Sequence, residues 1–257
     1  MCIRDSLDGS LYKFDFRNPG SGSGYSEWTM NKIFQASTGQ PVYHRVEAGS
    51  TQPGETTRYL FFGTGDQDNP VSNTGTGKFY AIKDVDTDNT LRTESNLVNL
   101  SSSITSLSGG TVGPSQSGWF INFAGVPSTA NDTNTHSGEK VLSDPVVFFN
   151  NVFFTTFTPD TSNPCGGGGI ARVYGLQMLN AGAGLASIAA LGETPTTKVP
   201  YHVYSGSEGG IPSSPSLSIY PSGQSSIFVG FSTGIVKEIK IESPPQMKTI
   251  KSWKEMF

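Results

Sequence analysis

Tyr59-Leu-Phe-Phe-Gly-Thr-Gly65 is followed, after a polar interval, by Lys78-Phe-Tyr-Ala-Ile-Lys-Asp84. An apolar, β-rich run leads into a Gly/Ser/Thr/Asn turn, and a second alternating run leads out. The same phrase returns as Ser226-Ile-Phe-Val-Gly-Phe-Ser-Thr-Gly234 with Ile235-Val-Lys-Glu-Ile-Lys-Ile241. It returns again as Val152-Phe-Phe-Thr-Thr-Phe157, a Gly-rich insert, then Arg172-Val-Tyr-Gly-Leu-Gln-Met178. Leu7-Asp-Gly-Ser-Leu-Tyr-Lys-Phe-Asp-Phe16 reads as the back half of a fourth copy. Period-two patterning across a Gly turn predicts a two-stranded hairpin each time. One hairpin cannot bury its own apolar face. Hairpins repeated every several tens of residues must pack on one another, which is the logic of blades in a β-propeller. Strands are expected at Leu11–Phe16, Tyr59–Gly63, Phe79–Lys83, Val152–Phe157, Val173–Met178, Ile227–Phe231 and Val236–Ile241, making about four blades.

Composition fits this fold class. The 257 residues suffice for one large all-β domain. The 31 glycines and 16 prolines supply turns, and charged residues make up only 15%. That is the balance of a turn-rich extracellular β protein. A net charge of −4 gives no electrostatic reason to expect nucleic acid or an anionic membrane as partner. No apolar run is long enough to cross a bilayer.

Between the hairpins lie short strands and long polar insertions. Trp28 to Gln35, Val42 to Val46 and Trp119 to Phe123 read as further strands, the first two as short outer ones. Leu91 to Gly110 has room for a short strand or a turn of helix. Ser128 to Gly138 is a polar loop, and Pro159 to Gly169 a Cys/Gly loop. Leu179 to Leu191 looks helical by composition, but Gly182, Gly184 and Gly192 argue against a stable helix.

Two cysteines are present. Cys2 lies in Met-Cys-Ile-Arg-Asp-Ser, which looks like a translated sequencing adapter, so residues 1–6 are set apart as a non-native stub. The repeat then begins partway through a blade at Leu7, so residues 7–257 read as one domain whose native N-terminus is expected to be missing. Cys165 has no native partner within that span and is expected to be free or to pair outside it.

Three carboxylates at alternate positions, Asp84, Asp86 and Asp88, have the ligand rhythm of a calcium loop. The full signature fails, because Asn89 stands where the turn needs Gly and Glu94 falls one residue short of the bidentate acid. Asp84 also closes a strand. A solvated turn is therefore the expected reading of this loop, with a weak calcium site as the other. Asp66 and Asp68 favour a turn as well.

Catalytic signatures are absent from the sequence. His44, His136 and His202 sit in unrelated segments, His136 in a polar loop and the others in Tyr-flanked, strand-like runs. Each is expected to be exposed or hydrogen-bonded. There is no Gly-x-Ser-x-Gly elbow and no His-Glu-x-x-His. Gly166 to Gly169 is not followed by Lys-Ser/Thr and a helix, so it reads as a loop. Trp28, Trp119 and Trp253 are expected to pack within blades.

Four stretches run in order: Gly118-Trp-Phe-Ile-Asn-Phe123, Gly138-Glu-Lys-Val-Leu-Ser-Asp-Pro-Val-Val147, Val152-Phe-Phe-Thr-Thr-Phe-Thr-Pro159 and Asn163-Pro-Cys-Gly-Gly-Gly168. Together they resemble the C-terminal β-propeller of the PilC/PilY family, type IV pilus tip-associated adhesins. Leu7 to Phe16, Phe61-Phe-Gly-Thr-Gly65 with Lys78-Phe-Tyr-Ala-Ile82, and Ser252-Trp-Lys-Glu-Met256 extend the resemblance over nearly all of 7–257. It implies a quinoprotein-like, all-β propeller in a secreted bacterial protein at the outer surface or pilus tip, with residues 7–257 as the C-terminal part of that single propeller and its N-terminal blades missing. It implies a non-enzymatic part in pilus biogenesis and adhesion. The implied partners are minor pilins, pilus assembly proteins and host or abiotic surfaces. The family's calcium loop lies upstream of the phrase at Leu7, so calcium belongs to the full-length family and no cofactor is expected within these residues. A second class is a quinoprotein-type propeller dehydrogenase. Against it, the chain has no adjacent cysteines and no repeated Trp docking motif, and fold alone does not carry chemistry.

Overall fold

The alternating runs form antiparallel hairpins, and the hairpins grow into four separate sheets. The structure is a computed structural model that describes residues 2–4 (backbone only), 7–16, 28–52, 54–85, 87–160, 168–186 and 198–243. Strands β1 (Cys2–Arg4), β2 (Ser10–Asp15) and β3 (Thr29–Gln35) open the first sheet. Strands β4 (Glu47–Gly49), β5 (Thr57–Gly63) and β6 (Lys78–Val85) open the second. The chain then returns to both: β7 (Arg92–Thr93) lies parallel to β3, while β8 (Val98–Asn99) and β9 (Gly118–Asn122) complete the order β4-β5-β6-β9-β8.

The third sheet holds β10 (Lys140–Val141), β11 (Val146–Phe148), β12 (Asn151–Pro159) and β13 (Gly169–Gln177). From there β14 (Leu185–Ala186) and β15 (Lys198–Val199) cross to the fourth sheet, and β16 (Tyr201–Tyr204) comes back beside β13. Strands β17 (Ser216–Ile219), β18 (Ser225–Gly230) and β19 (Val236–Ile241) complete the fourth in the order β15-β14-β19-β18-β17.

Burial explains why the hairpin phrases are richer in apolar residues than simple alternation requires. On β5, Tyr59 and Phe61 face the third sheet, packing in one cluster with Phe79, Trp119, Phe154 and Tyr174. Their neighbours Leu60 and Phe62 face the first sheet, beside Leu11, Ile33, Phe34 and Tyr80. The second sheet is therefore buried on both faces, and such strands read as continuous apolar runs. Phe153, Val173 and Leu185 of the third and fourth sheets pack with Ile227, Val229 and Ile239 in the same way. The sheets thus stack in chain order, first on second, second on third, third on fourth. Ring stacking threads the middle junction: Phe79 lies 3.7 Å from Phe154, and Phe154 lies 4.9 Å from Tyr174, with nearly parallel rings.

Two glycines are required by this stacking. A Cβ on Gly63 would lie 2.4 Å from the Val141 side chain, so the Phe-Phe-Gly turn lets β5 meet β10. Gly118 has φ +137° and a Cβ there would meet the Ala81 carbonyl at 2.0 Å, where β9 begins against β6.

Some expectations need correction. Val42 to Val46 is not a strand; regular pairing begins only at Glu47. The backbone of the earlier segment is held by single contacts instead, with Gly65 N–H donating to the Pro41 carbonyl and Arg45 N–H to Asp144 Oδ1. Trp28 to Gln35 is not a short outer strand: β3 has seven residues and β7 lies beyond it. Residues 2–4, whatever their origin, pair with β2 in the register Cys2↔Phe14. Leu91 to Gly110 holds both short strands and a 3₁₀ turn at Glu94–Asn96.

Candidate functional site

The carboxylate triplet is split by the strand that carries it. Asp84 stands near the end of β6 and is 1% exposed. The Lys13 ammonium of β2 reaches it across the sheet junction, 2.8 Å from Asp84 Oδ1, 2.8 Å from the Val85 carbonyl and 3.0 Å from the Asp88 carbonyl. Three oxygens therefore converge on a cation that belongs to the protein. The Asp88 side chain pairs with Arg92 and accepts from Thr90 N–H at 2.9 Å. Those bonds outweigh its slight burial and hold its carboxyl below the ordinary range. Asp86 lies outside the described residues. Among the described residues, no group of three or more His, Cys, Asp or Glu side chains is placed to hold a metal ion. Asp66 caps its own turn, accepting from the Asp68 and Asn69 amides, and Asp68 accepts from the Tyr43 hydroxyl.

A larger charged cluster lies under the polar loop that precedes β10. Arg172, pointing from β13, is fully buried. Its Nε donates to Asp132 Oδ2 at 2.7 Å, and its Nη1 donates to Glu139 Oε2 at 3.2 Å and to Thr158 Oγ1 at 2.8 Å. Glu139 is also fully buried and has both oxygens taken. Oε1 accepts from Thr156 at 2.5 Å and from the Tyr174 hydroxyl at 2.9 Å, while Oε2 lies 2.5 Å from His136 Nδ1. Asp132 Oδ1 accepts from Asn134 through backbone and side chain.

Burial alone would raise the Glu139 carboxyl, but the Arg172 charge and the His136 and Thr156 contacts outweigh it and hold Glu139 below the ordinary range. Asp132 is lowered in the same way, with Arg172 overcoming burial. The Tyr174 phenol is pushed well up by burial and by Glu139. The cluster thus contains ionised acids whose lone pairs are already used. Its physical effect is to fasten the loop 128–138 to the third sheet. The same stretch is tied to the second sheet, because Gly77 N–H donates to the Glu139 carbonyl at 2.7 Å and Val141 N–H to the Thr64 carbonyl at 3.1 Å. The Gly-Glu-Lys-Val and Phe-Phe-Gly-Thr-Gly stretches therefore meet in space.

The other sequence candidates fall apart from this cluster or join it unexpectedly. His44 sits 3.4 Å from Asp144, and His202 of β16 lies 2.9 Å from the Ala186 carbonyl, with burial lowering its pKa. His136, placed in an exposed-looking loop by sequence, is only 4% exposed. Trp119 is buried and donates to the Met178 carbonyl at 2.8 Å, whereas Trp28 is 41% exposed against Phe16. Cys165, Gly166, Gly167 and Trp253 lie outside the described residues.

Sequence reasoning missed Asp132 and Arg172. Arg172 carried one usable signal, a charge opening an otherwise apolar strand in the third hairpin copy. Asp132 carried none.

No protein-family model matches the chain, and no curated protein matches it. Among solved structures it is similar to the C-terminal domain of PilY1 from Pseudomonas aeruginosa, with a TM-score of 0.66 and 17% identity over 95% of this chain. The alignment spans 57% of that longer chain. At this identity the likeness is one of fold.

Proposed function

We propose that this chain is a non-enzymatic, type IV pilus-associated protein of the bacterial surface, and that its four sheets are blades of a PilY-like β-propeller. The observation that carries the reading is the fold likeness to the PilY1 C-terminal domain over 95% of the chain. It is supported by where the resembling stretches lie. Phe-Phe-Gly-Thr-Gly, Gly-Trp-Phe-Ile-Asn and Gly-Glu-Lys-Val all build the junction of the second and third sheets, through Gly63, Trp119 and Val141. Successive sheets buried face to face are what adjacent blades require. A scaffold role also accommodates the histidines, each of which is engaged by Asp144, Glu139 or a backbone carbonyl. Calcium enters this reading only as a property of the PilC/PilY family, and adhesion through surfaces that variable loops present. Among the described residues, no helix is long and apolar enough to cross a membrane.

The test is binding of the purified chain to recombinant minor pilins of a type IV pilus, read by surface plasmon resonance. Saturable binding to minor pilins and none to an unrelated β-protein is the expected result. Absence of such binding, together with dye-linked alcohol oxidation after quinone reconstitution, would replace this reading with the dehydrogenase one.

A further inference from the structure

The loop 128–138 is folded on itself. Thr129 and Asp132 exchange two backbone hydrogen bonds at 2.9 and 3.1 Å, Asn134 donates twice to Asp132 Oδ1, and Ser137 N–H donates to Thr135 Oγ1 at 3.0 Å. Its ties to the third sheet run through charge. Arg172 Nε meets Asp132 Oδ2 at 2.7 Å, and Nη2 meets the Thr135 carbonyl at 3.4 Å. Thr129, Asn131 and Asp132 also line a cavity of about 480 Å³, together with Tyr201 and His202 of β16. Whatever holds the loop down therefore also sets how wide that cavity opens.

His136 is the informative residue. Its side chain lies between two fully buried carboxylates, with Nδ1 2.5 Å from Glu139 Oε2 and Nε2 3.7 Å from Asp132 Oδ2. A neutral imidazole has one N–H and one bare nitrogen lone pair. Whichever nitrogen kept the lone pair would aim it at a carboxylate oxygen. An imidazolium presents an N–H to each. Charge points the same way. Asp132 and Glu139 are both ionised, Arg172 overcoming their burial, and Arg172 is one cation against two anions. With a neutral His136 the buried cluster carries a net negative charge; with an imidazolium it carries none. The phenols that face the ring cannot supply the difference. Tyr201 of β16 packs edge-to-face on His136 at 6.0 Å between centroids, and Tyr174 of β13 lies behind it and donates to Glu139 Oε1. Burial pushes Tyr201 up to about 12 and Tyr174 well up, so both are neutral.

We propose that His136 is a protonation latch on the loop 128–138: as an imidazolium it bridges Glu139 and Asp132 and holds the loop against the third sheet, and loss of its ring proton lets the loop lift and the cavity wall open. A group whose charged form is favoured in the closed state contributes only while it is charged. The latch is therefore closed on the acid side of the histidine titration and weakens as rising pH removes the proton. It is independent of pilin docking, so its failure would leave the preceding reading untouched.

Two signals read together on the whole chain test it, over the pH range in which both acids stay ionised. The first is the ring-nitrogen NMR spectrum of the histidines; the chain has 3, and His136→Gln identifies the relevant signal. The second is hydrogen-exchange protection of the Thr129 and Asp132 amides, normalised for the intrinsic pH dependence of exchange. Both His136 nitrogens should be protonated where the loop is protected, and the ring proton and the protection should be lost together as pH rises. His136→Gln should lower the protection about a hundredfold, the effect of leaving one buried charge unanswered, and should flatten its pH dependence. Adding Glu139→Gln removes the surplus anion and should restore most of the protection, which a purely steric role for the imidazole does not predict. Should neither variant fold, the wild-type titration decides alone. A neutral His136 beneath a protected loop, protection that does not follow the ring proton, or a double variant no better protected than His136→Gln would overturn the proposal.

Discussion

Lys13 and Arg172 both close contacts between segments far apart in the chain, but they do so with different chemistry. Lys13 answers one buried carboxylate and completes its shell with two backbone carbonyls at the end of β6. Arg172 answers two carboxylates at once and adds a threonine hydroxyl. A compact ammonium suits a ring of carbonyl oxygens, whereas a planar fork with several donors suits two acids approaching from different sides. The lysine site ends a strand; the arginine site holds a whole loop in place. The cost of losing each cation should therefore differ.

The largest effect is expected from Arg172→Met. It strands Glu139 and Asp132 in the interior, and breaking a buried pair from one side costs about 3–5 kcal/mol. With two acids left unpaired, the loss should fall at the upper end, read as a lower midpoint in urea unfolding. A loss under about 1 kcal/mol, the level of an exposed pair, would show that the cluster is open to water.

Lys13→Met should cost less, about 3 kcal/mol, because one carboxylate is affected. Adding Asp84→Asn should return part of the loss, since replacing both partners removes the buried charge. If the double variant is as unstable as the sum of the two single ones, the ammonium and the carboxylate are not coupled.

How much of this was legible in sequence follows from distance along the chain. The hairpins were, because alternation and Gly turns are local, and each of the seven expected strands is present. The double-sided burial of β5 and β6 shows in the sequence only as an excess of apolar residues over simple alternation. The acid rhythm at Asp84 to Asp88 was visible too. Its answer, Lys13, lies 71 residues away in the sequence from Asp84, and no local spacing announces such a contact. The loop 128–138 is polar in composition, yet Asp132 and His136 turn inward to meet Arg172 and Glu139. A polar composition does not say which side of a loop is buried.

Acid titration sharpens the comparison further. Glu139 is held below its ordinary value of about 4.3 in the folded state. Its contribution is therefore complete above that value and is lost as pH falls through the lower folded one. Wild-type stability should decline in that window. In Arg172→Met the unpaired, buried acid is raised instead, so acidification should relieve part of the variant's defect. Parallel pH profiles for the two proteins, measured by thermal melting, would contradict the assigned role of Arg172.

The smallest expected effect is the most direct test of the central claim, that side-chain cations rather than a metal ion answer the buried carboxylates of these residues. The melting temperature of the wild-type chain should be the same in chelator and in excess calcium. A specific ligand at 100 times its dissociation constant would add about 2.7 kcal/mol. A calcium-dependent rise of that size, abolished by Asp86→Ala, would contradict the account.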